Sequence, residues 1–174
     1  VEVNQTHLQS AITLYHAALK LEPESRPALE ALLELYQRVG YRTETIETAD
    51  RILAQDADHV SALTAKLIVA FAETKYEDVI ALAERLHALE PNALAWPAFA
   101  VRGLEGQGAP LHELVTRCTA WTAAFEGDGR YRLLHAQVLY DHGELEASRA
   151  MLLEAVAASA HELEVLEGML TLLE

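Results

Sequence analysis

Three features of the sequence could do chemistry: the glycine-rich stretch Gly103-Leu-Glu-Gly-Gln-Gly-Ala-Pro110, eight histidines and a single cysteine. Glycines that open a helix can present backbone N–H groups to a phosphate. Here the order G-x-x-G-x-G reverses the dinucleotide pattern, no strand pattern precedes it, and no Gly-Lys-Ser/Thr ending follows. The stretch reads as a turn. His112-Glu-Leu-Val-Thr116 and His161-Glu-Leu-Glu-Val165 begin like the helical zinc-protease motif, which needs a second histidine four residues on. Thr116 and Val165 occupy those places, so neither motif closes a site. His135 and His142 could share a helix face near Asp141, Glu144 and Glu146. Their spacing fixes no third ligand, and the expectation is a surface patch beside a glycine turn. Cys118 lies on an apolar stripe with Leu114, Val115 and Trp121, which predicts a core residue with no histidine placed to activate it. No Ser-His-Asp or glycine-elbow signature appears. The expectation is a non-enzymatic chain with no catalytic residue, metal or cofactor.

The composition points the same way. Hydrophobic residues make up 51% of the 174 but aromatics only 6%, the excess being largely Ala and Leu, which favour helices. Lys and Arg total 13 against 27 Asp and Glu, a formal charge of −14. That balance repels nucleic-acid phosphates and anionic membrane surfaces and would attract a basic or cationic partner. One cysteine excludes an intramolecular disulfide. No apolar run reaches the roughly 20 residues of a membrane span, and Val1 to Thr6 has no signal-peptide character. A soluble protein is expected, with cytoplasm and periplasm both open.

A fixed beat organises the chain. Ala11-Ile-Thr-Leu-Tyr-His-Ala-Ala-Leu-Lys-Leu-Glu-Pro23 lies over Val79-Ile-Ala-Leu-Ala-Glu-Arg-Leu-His-Ala-Leu-Glu-Pro91, 68 residues on, and a third copy starts midway at Thr45. Further copies start at Leu114 and Ser148. Each carries one apolar stripe at helical spacing, as Ile46, Ala49, Ile52 and Leu53 do. Before the last four copies lie other helical patterns, around 27–39, 60–73, 95–105 and 130–142, ending near Gly40, Thr74, Gly108 and Gly143. Glycine suits a helix end because it enters the left-handed conformation without penalty. The beat has one defect. From Gly40 to Thr45 and from Gly143 to Ser148 there are five steps, but six from Gly108 to Leu114, so one extra residue sits around Ala109-Pro110. Gly103 and Gly106 fall inside the preceding helix, with Pro97 near its start, so this helix is expected to be the weakest and to kink or move locally.

A helix, short turn and helix repeated every 34 residues resembles the tetratricopeptide repeat, TPR. The strongest matches are Lys75 to Pro91, Ile12 to Pro23 and Gly143 to Val156. The aromatic that the family places early in the first helix is replaced by Leu29, Leu63, Pro97 and Arg132, and the alanine opening the second helix is kept only by Ala11. The resemblance implies an all-α, right-handed superhelical solenoid of antiparallel helix pairs, with four complete pairs and a half-pair at each end. A single domain, 1–174, would contain a partial repeat 1–25, repeats 26–59, 60–93, 94–128 and 129–162, and a partial repeat 163–174. Leu163, Leu166, Met169, Leu170, Leu172 and Leu173 still seek cover at the end. A solenoid needs polar caps, so the chain reads as a fragment of a longer bacterial repeat protein or one that self-associates through its ends.

The family's concave face is lined by first helices and receives peptides or partner domains. The matching positions here are Glu30, Glu34, Gln37 and Arg38; Thr64, Ile68, Phe71 and Ala72; Ala98, Arg102, Glu105 and Gly106 with Phe99 beside them; and Leu133, Gln137, Tyr140 and Asp141. Partner binding is therefore expected through Glu30, Glu34, Arg38, Thr64, Ile68, Phe71, Phe99, Arg102, Gln137 and Tyr140, an apolar centre between acidic ends. Glu30, Glu34, Ala65, Ala95 and Phe99 stand where relatives that grip acidic chaperone tails carry the residues of their carboxylate clamp, which argues against that ligand. The leading expectation is a non-catalytic protein-interaction scaffold. The alternative is an acidic groove for a cationic polymer, such as a deacetylated polysaccharide in a bacterial export assembly.

Overall fold

A computed structural model describes residues 2–158, with side chains from residue 7 onward. His161, Val165 and the apolar segment from Leu163 lie outside the described residues. Among those described the chain is all-α, with nine helices and no strand. They are α1 (Glu2–Leu21), α2 (Arg26–Val39), α3 (Arg42–Gln55), α4 (Val60–Ala72), α5 (Tyr76–Leu89), α6 (Ala95–Gly106), α7 (Leu111–Ala124), α8 (Gly129–Asp141) and α9 (Leu145–Ala158). The four expected first helices are α2, α4, α6 and α8, and the turns within the expected pairs fall at Gly40, Thr74, Gly108 and Gly143. No helix among the described residues is long and apolar enough to cross a membrane.

The chain forms two compact units, Val1–Pro91 and Asn92–Glu174. In the first, α1 and α3 pack on α2, α3 also packs on α4, and α4 on α5. Leu29, Leu32, Leu33 and Tyr36 recur at helical spacing and fill the space between α2 and its neighbours, with Ile12, Ala49 and Ile52 closing it. In the second unit α8 packs on both α7 and α9. Its core is built around Tyr131, whose ring stacks on Phe125 with centroids 4.5 Å apart. Large aromatics do enter the first helices of this unit, but one residue earlier than expected: Trp96 and Tyr131 are buried beside Pro97 and Arg132, where the first unit has Ala28 and Ala62 beside Leu29 and Leu63. Arg132 instead turns its guanidinium to the Glu126 carbonyl at 2.6 Å.

The small residue that opens each second helix is replaced without leaving a buried polar group unpaired. Thr45 donates to the Tyr41 carbonyl at 2.7 Å, and Ser148 crosses from α9 to the Ala136 carbonyl of α8 at 2.8 Å. Val79 and Leu114 fill the equivalent places as apolar core. Two arginines that share the beat tie α3 and α5 to the turns that precede α2 and α4. Arg51 donates to the Pro23 carbonyl, and Arg85, 34 residues on, donates to the Ala57 carbonyl at 2.6 Å and to Asp58 at 2.9 Å.

One backbone turn joins every pair. Gly40, Gly108 and Gly143 have φ of 83°, 75° and 81°, and Thr74 has 57°. The next N–H in each case reaches back five residues, from Tyr41 to Tyr36, Lys75 to Ala70, Ala109 to Leu104 and Glu144 to Leu139, at 2.9–3.0 Å. This is the hydrogen-bonded C-terminal motif that satisfies the last helix carbonyls. After the left-handed residue one residue leads into α3, α5 and α9, but Ala109 and Pro110 both intervene before α7. The extra residue of the beat sits there. α6 begins at Ala95, so Pro97 lies in its first turn, where its missing N–H costs least. Nothing lies within 4 Å of where a side chain would begin at Gly40, Gly108 or Gly143, so glycine there answers backbone conformation alone. Thr74 is the exception that bears strain, since a β-branched residue is disfavoured in this region. Thr74→Gly is expected to raise stability by about 0.5 kcal/mol and Gly143→Ala to lower it by about 1 kcal/mol, read as opposite shifts of the urea midpoint.

Candidate functional site

The first helices carry a buried row and an open row. Leu33, Leu67, Val101 and Ala136 are all buried, as are Tyr36, Ala70, Leu104 and Leu139. One residue further on, none of Glu34, Ile68, Arg102 and Gln137 or of Gln37, Phe71, Glu105 and Tyr140 is buried, and the same holds for Glu30, Thr64, Ala98 and Leu133. Helical geometry places residues three and four apart on one face, so each first helix turns its candidate residues away from its own core.

In the first unit Glu30, Glu34 and Gln37 line a cleft, and Thr64, Ile68 and Phe71 do not. Glu30, Leu33, Glu34 and Gln37 of α2 face His59 and Ser61 at the start of α4 around a volume of about 330 Å³. The acids there are paired. Glu30 Oε1 lies 2.9 Å from Arg26 Nε and 3.0 Å from His59 Nε2, while Arg26 Nη2 holds Asp56 at 2.8 Å. Glu34 is bound by Arg38 one turn on at 2.8 Å. His59 caps α4 by accepting the Ala62 N–H at Nδ1, 3.3 Å away; the proton therefore sits on Nε2, which donates to Glu30. The Arg26 guanidinium, helped by His59, holds the Glu30 carboxyl below the usual carboxylate range. The expected acidic end is thus a set of paired carboxylates, with His59 hydrogen-bonded to Glu30 among them. Sequence reasoning missed His59 and Arg26; their types in a helix-start turn were visible, but not that residues 26, 30, 56 and 59 converge.

Ile68 of α4 is 48% exposed, while Thr64 and Phe71 beside it are half-buried. In the second unit, Arg102 is exposed and Phe99 half-buried on α6; Tyr140 is 43% exposed on α8, and Gln137 donates to Asp141 at 2.7 Å. Burial pushes the Glu105 carboxyl up; Asp141 adds to the shift and His142 and Arg102 oppose it, which places the ends of α6 and α8 within electrostatic reach.

The groups that could do chemistry are placed otherwise. Burial, with Glu105 adding, pushes the Cys118 thiol up to about 12, so it stays protonated in the core as expected. At the zinc-like motif Thr116 spends its hydroxyl on the His112 carbonyl at 2.7 Å. His135 corrects the sequence reading: it is 4% exposed, not part of a surface patch. It belongs to the buried stripe of Tyr131, Val138 and Leu139, a helical spacing that could have revealed it. His142 is exposed and donates from Nδ1 to the Val138 carbonyl at 2.8 Å. Among the described residues no three acidic, histidine or cysteine groups converge as a metal site.

No family model and no curated protein sequence matches the chain. Solved structures do. The chain is similar to MamA, at 15% identity and a TM-score of 0.67 over 91% of this chain and 86% of that one. It is similar to YrrB, a TPR protein with an unusual peptide-binding site, at 13% identity and a TM-score of 0.58 over 91% of each chain. It has a tetratricopeptide-repeat fold. A third structure, a thermophilic TPR protein of Thermus thermophilus, agrees over 98% of this chain and 93% of its own, at 15% identity and a TM-score of 0.58.

His135 supplies a test of this placement. Both its ring nitrogens are buried without a hydrogen-bond partner, and burial lowers its pKa, with Glu154 opposing. A depressed histidine contributes stability that is fully present above the unfolded value near 6.5 and is lost as pH falls through the folded value. His135→Leu should raise stability by about 1 kcal/mol at pH 7 and flatten the acid limb below about pH 6.5, measured by urea unfolding followed through Trp96 and Trp121.

Proposed function

We propose that the chain is a non-catalytic scaffold that binds a peptide or partner domain on the open row of its first helices. The observation that carries this reading is the α2–α4 cleft together with Ile68, exposed two turns further along α4 from Ser61. A large aliphatic side chain on an unburied helix row is the kind of anchor that dominates binding energy when a partner covers it. Glu30 and Glu34 are already engaged by Arg26, His59 and Arg38. A partner therefore gains little from bare negative charge and more from apolar contact at Ile68, with the ion pairs at the rim setting orientation. The second unit offers Phe99, Arg102, Gln137 and Tyr140 on its own first helices in the same role. YrrB, a TPR protein of similar fold with an unusual peptide-binding site, supports this reading.

Phe71 is half-buried, so its truncation would disturb packing as well as binding. The test falls on Ile68. Affinity capture with the wild-type chain and with Ile68→Ser, the two matched for helicity and urea midpoint, should recover a partner that the variant loses at least tenfold. A cost of about 1.4 kcal/mol corresponds to that factor. Equal recovery by both chains would remove the first-helix face from the account.

A further inference from the structure

A further cavity in the first unit lies on the other set of helices. It is a groove of about 500 Å³ between α1 and α3, floored by Ile12, Leu32 and Tyr36. Both helices pack on α2 through short turns and so run parallel to each other, and Arg51 and Gln55 near the end of α3 reach Pro23 and Glu24 just past the end of α1. That direction sorts the polar wall by charge. Glu44 and Glu47 stand towards the N-terminal end, Lys20 and Arg51 towards the C-terminal end. Glu44 and Arg51 are seven residues apart on α3, about 10 Å at the helical rise.

Aromatic rings line the acidic end. Tyr36 and Tyr41 are tilted with centroids 6.2 Å apart, and His16 lies 6.3 Å from Tyr36 with its Nε2 2.7 Å from the Tyr36 hydroxyl. Tyr41 is 41% exposed. Among the described residues neither Glu44, Glu47 nor Lys20 has an ion-pair partner, whereas Arg51 also holds the Pro23 carbonyl, so Lys20 carries most of the basic end.

We propose that this groove binds a proline-containing peptide segment that carries a basic side chain and, three residues away, an acidic one. A polyproline II chain has three residues per turn and rises about 3.1 Å per residue. Residues three apart therefore lie on one face about 9 Å apart, close to the rise of about 10 Å between Glu44 and Arg51 along α3. The basic side chain meets Glu44 and Glu47 beside the Tyr41 ring, where carboxylate attraction and the ring face both favour a cation. The acidic side chain meets Lys20, and intervening prolines lie on the floor of Ile12, Leu32 and Tyr36 beside the Tyr36 and Tyr41 rings, as proline-rich segments do in grooves that carry aromatic rings. Neither surface needs the other, so two partners, or two segments of one partner, can be held at once.

The test is an NMR titration of the whole chain with four blocked peptides that differ only at the two charged places flanking a pair of prolines: arginine and glutamate, two arginines, two glutamates, or two glutamines. The arginine–glutamate peptide should bind at least tenfold more tightly than the other three and shift the ring signals of His16 and Tyr41. Glu44→Gln with Glu47→Gln should remove the preference for arginine, Lys20→Gln the preference for glutamate, and Ile68→Ser should change nothing. These side chains are exposed, and matching helicity confirms that the variants fold. Equal affinity for all four peptides, or shifts confined to residues outside the groove, would overturn the proposal.

Discussion

A residue held in the left-handed region after each first helix sets the path of this chain. Once Gly40, Thr74, Gly108 and Gly143 take positive φ, the next N–H can reach back five residues and satisfy a carbonyl that the helix leaves bare. The chain then reverses within a few residues, and the following helix returns along the first. Everything at the surface inherits its register from that reversal. It decides that Leu33, Leu67, Val101 and Ala136 enter the core and that Glu34, Ile68, Arg102 and Gln137 do not. It also leaves α1 and α3 side by side on α2 with a groove between them.

The turn explains why so much of the fold is legible in the sequence. Three of the four left-handed positions are glycine, and the fourth is fixed by the 34-residue beat even though threonine resists the conformation. The one-residue insertion at Ala109-Pro110 is legible for the same reason, because the beat on either side is regular. What fails is finer than the beat. The packing aromatics of the second unit, Trp96 and Tyr131, sit one place early because large rings can reach the same cavity from a neighbouring helix position, a freedom that periodicity alone does not limit. His135 reads as surface by residue type, which suggests water; its stripe with Tyr131, Val138 and Leu139 says otherwise. Polar residues on a core stripe are where composition and periodicity disagree, and here periodicity wins.

The candidate site is legible as a set of positions but not as a set of charges. Glu30 and Glu34 suggest an electronegative end, and an overall charge of −14 encourages that view. Folding brings Arg26 and His59 to Glu30, and the helix spacing brings Arg38 to Glu34. Pairing across 29 residues, as between His59 and Glu30, depends on how α4 packs beside α2 and cannot be read from neighbours in the chain. Exposed ion pairs of this kind contribute little stability; they matter because they leave the aliphatic Ile68 as the distinctive feature of the surface. The two proposed faces then differ in character, one dominated by apolar contact and the other by charges sorted along a groove.

The claim on which both faces rest is that the beat, and not glycine itself, imposes the left-handed turn. Thr74 is where the two can be told apart. Backbone chemical shifts and short-range NOEs of Thr74 in solution test this directly: the account predicts positive φ with the Lys75 amide protected by its bond to Ala70, and a Thr74 in extended or right-handed helical conformation would contradict it.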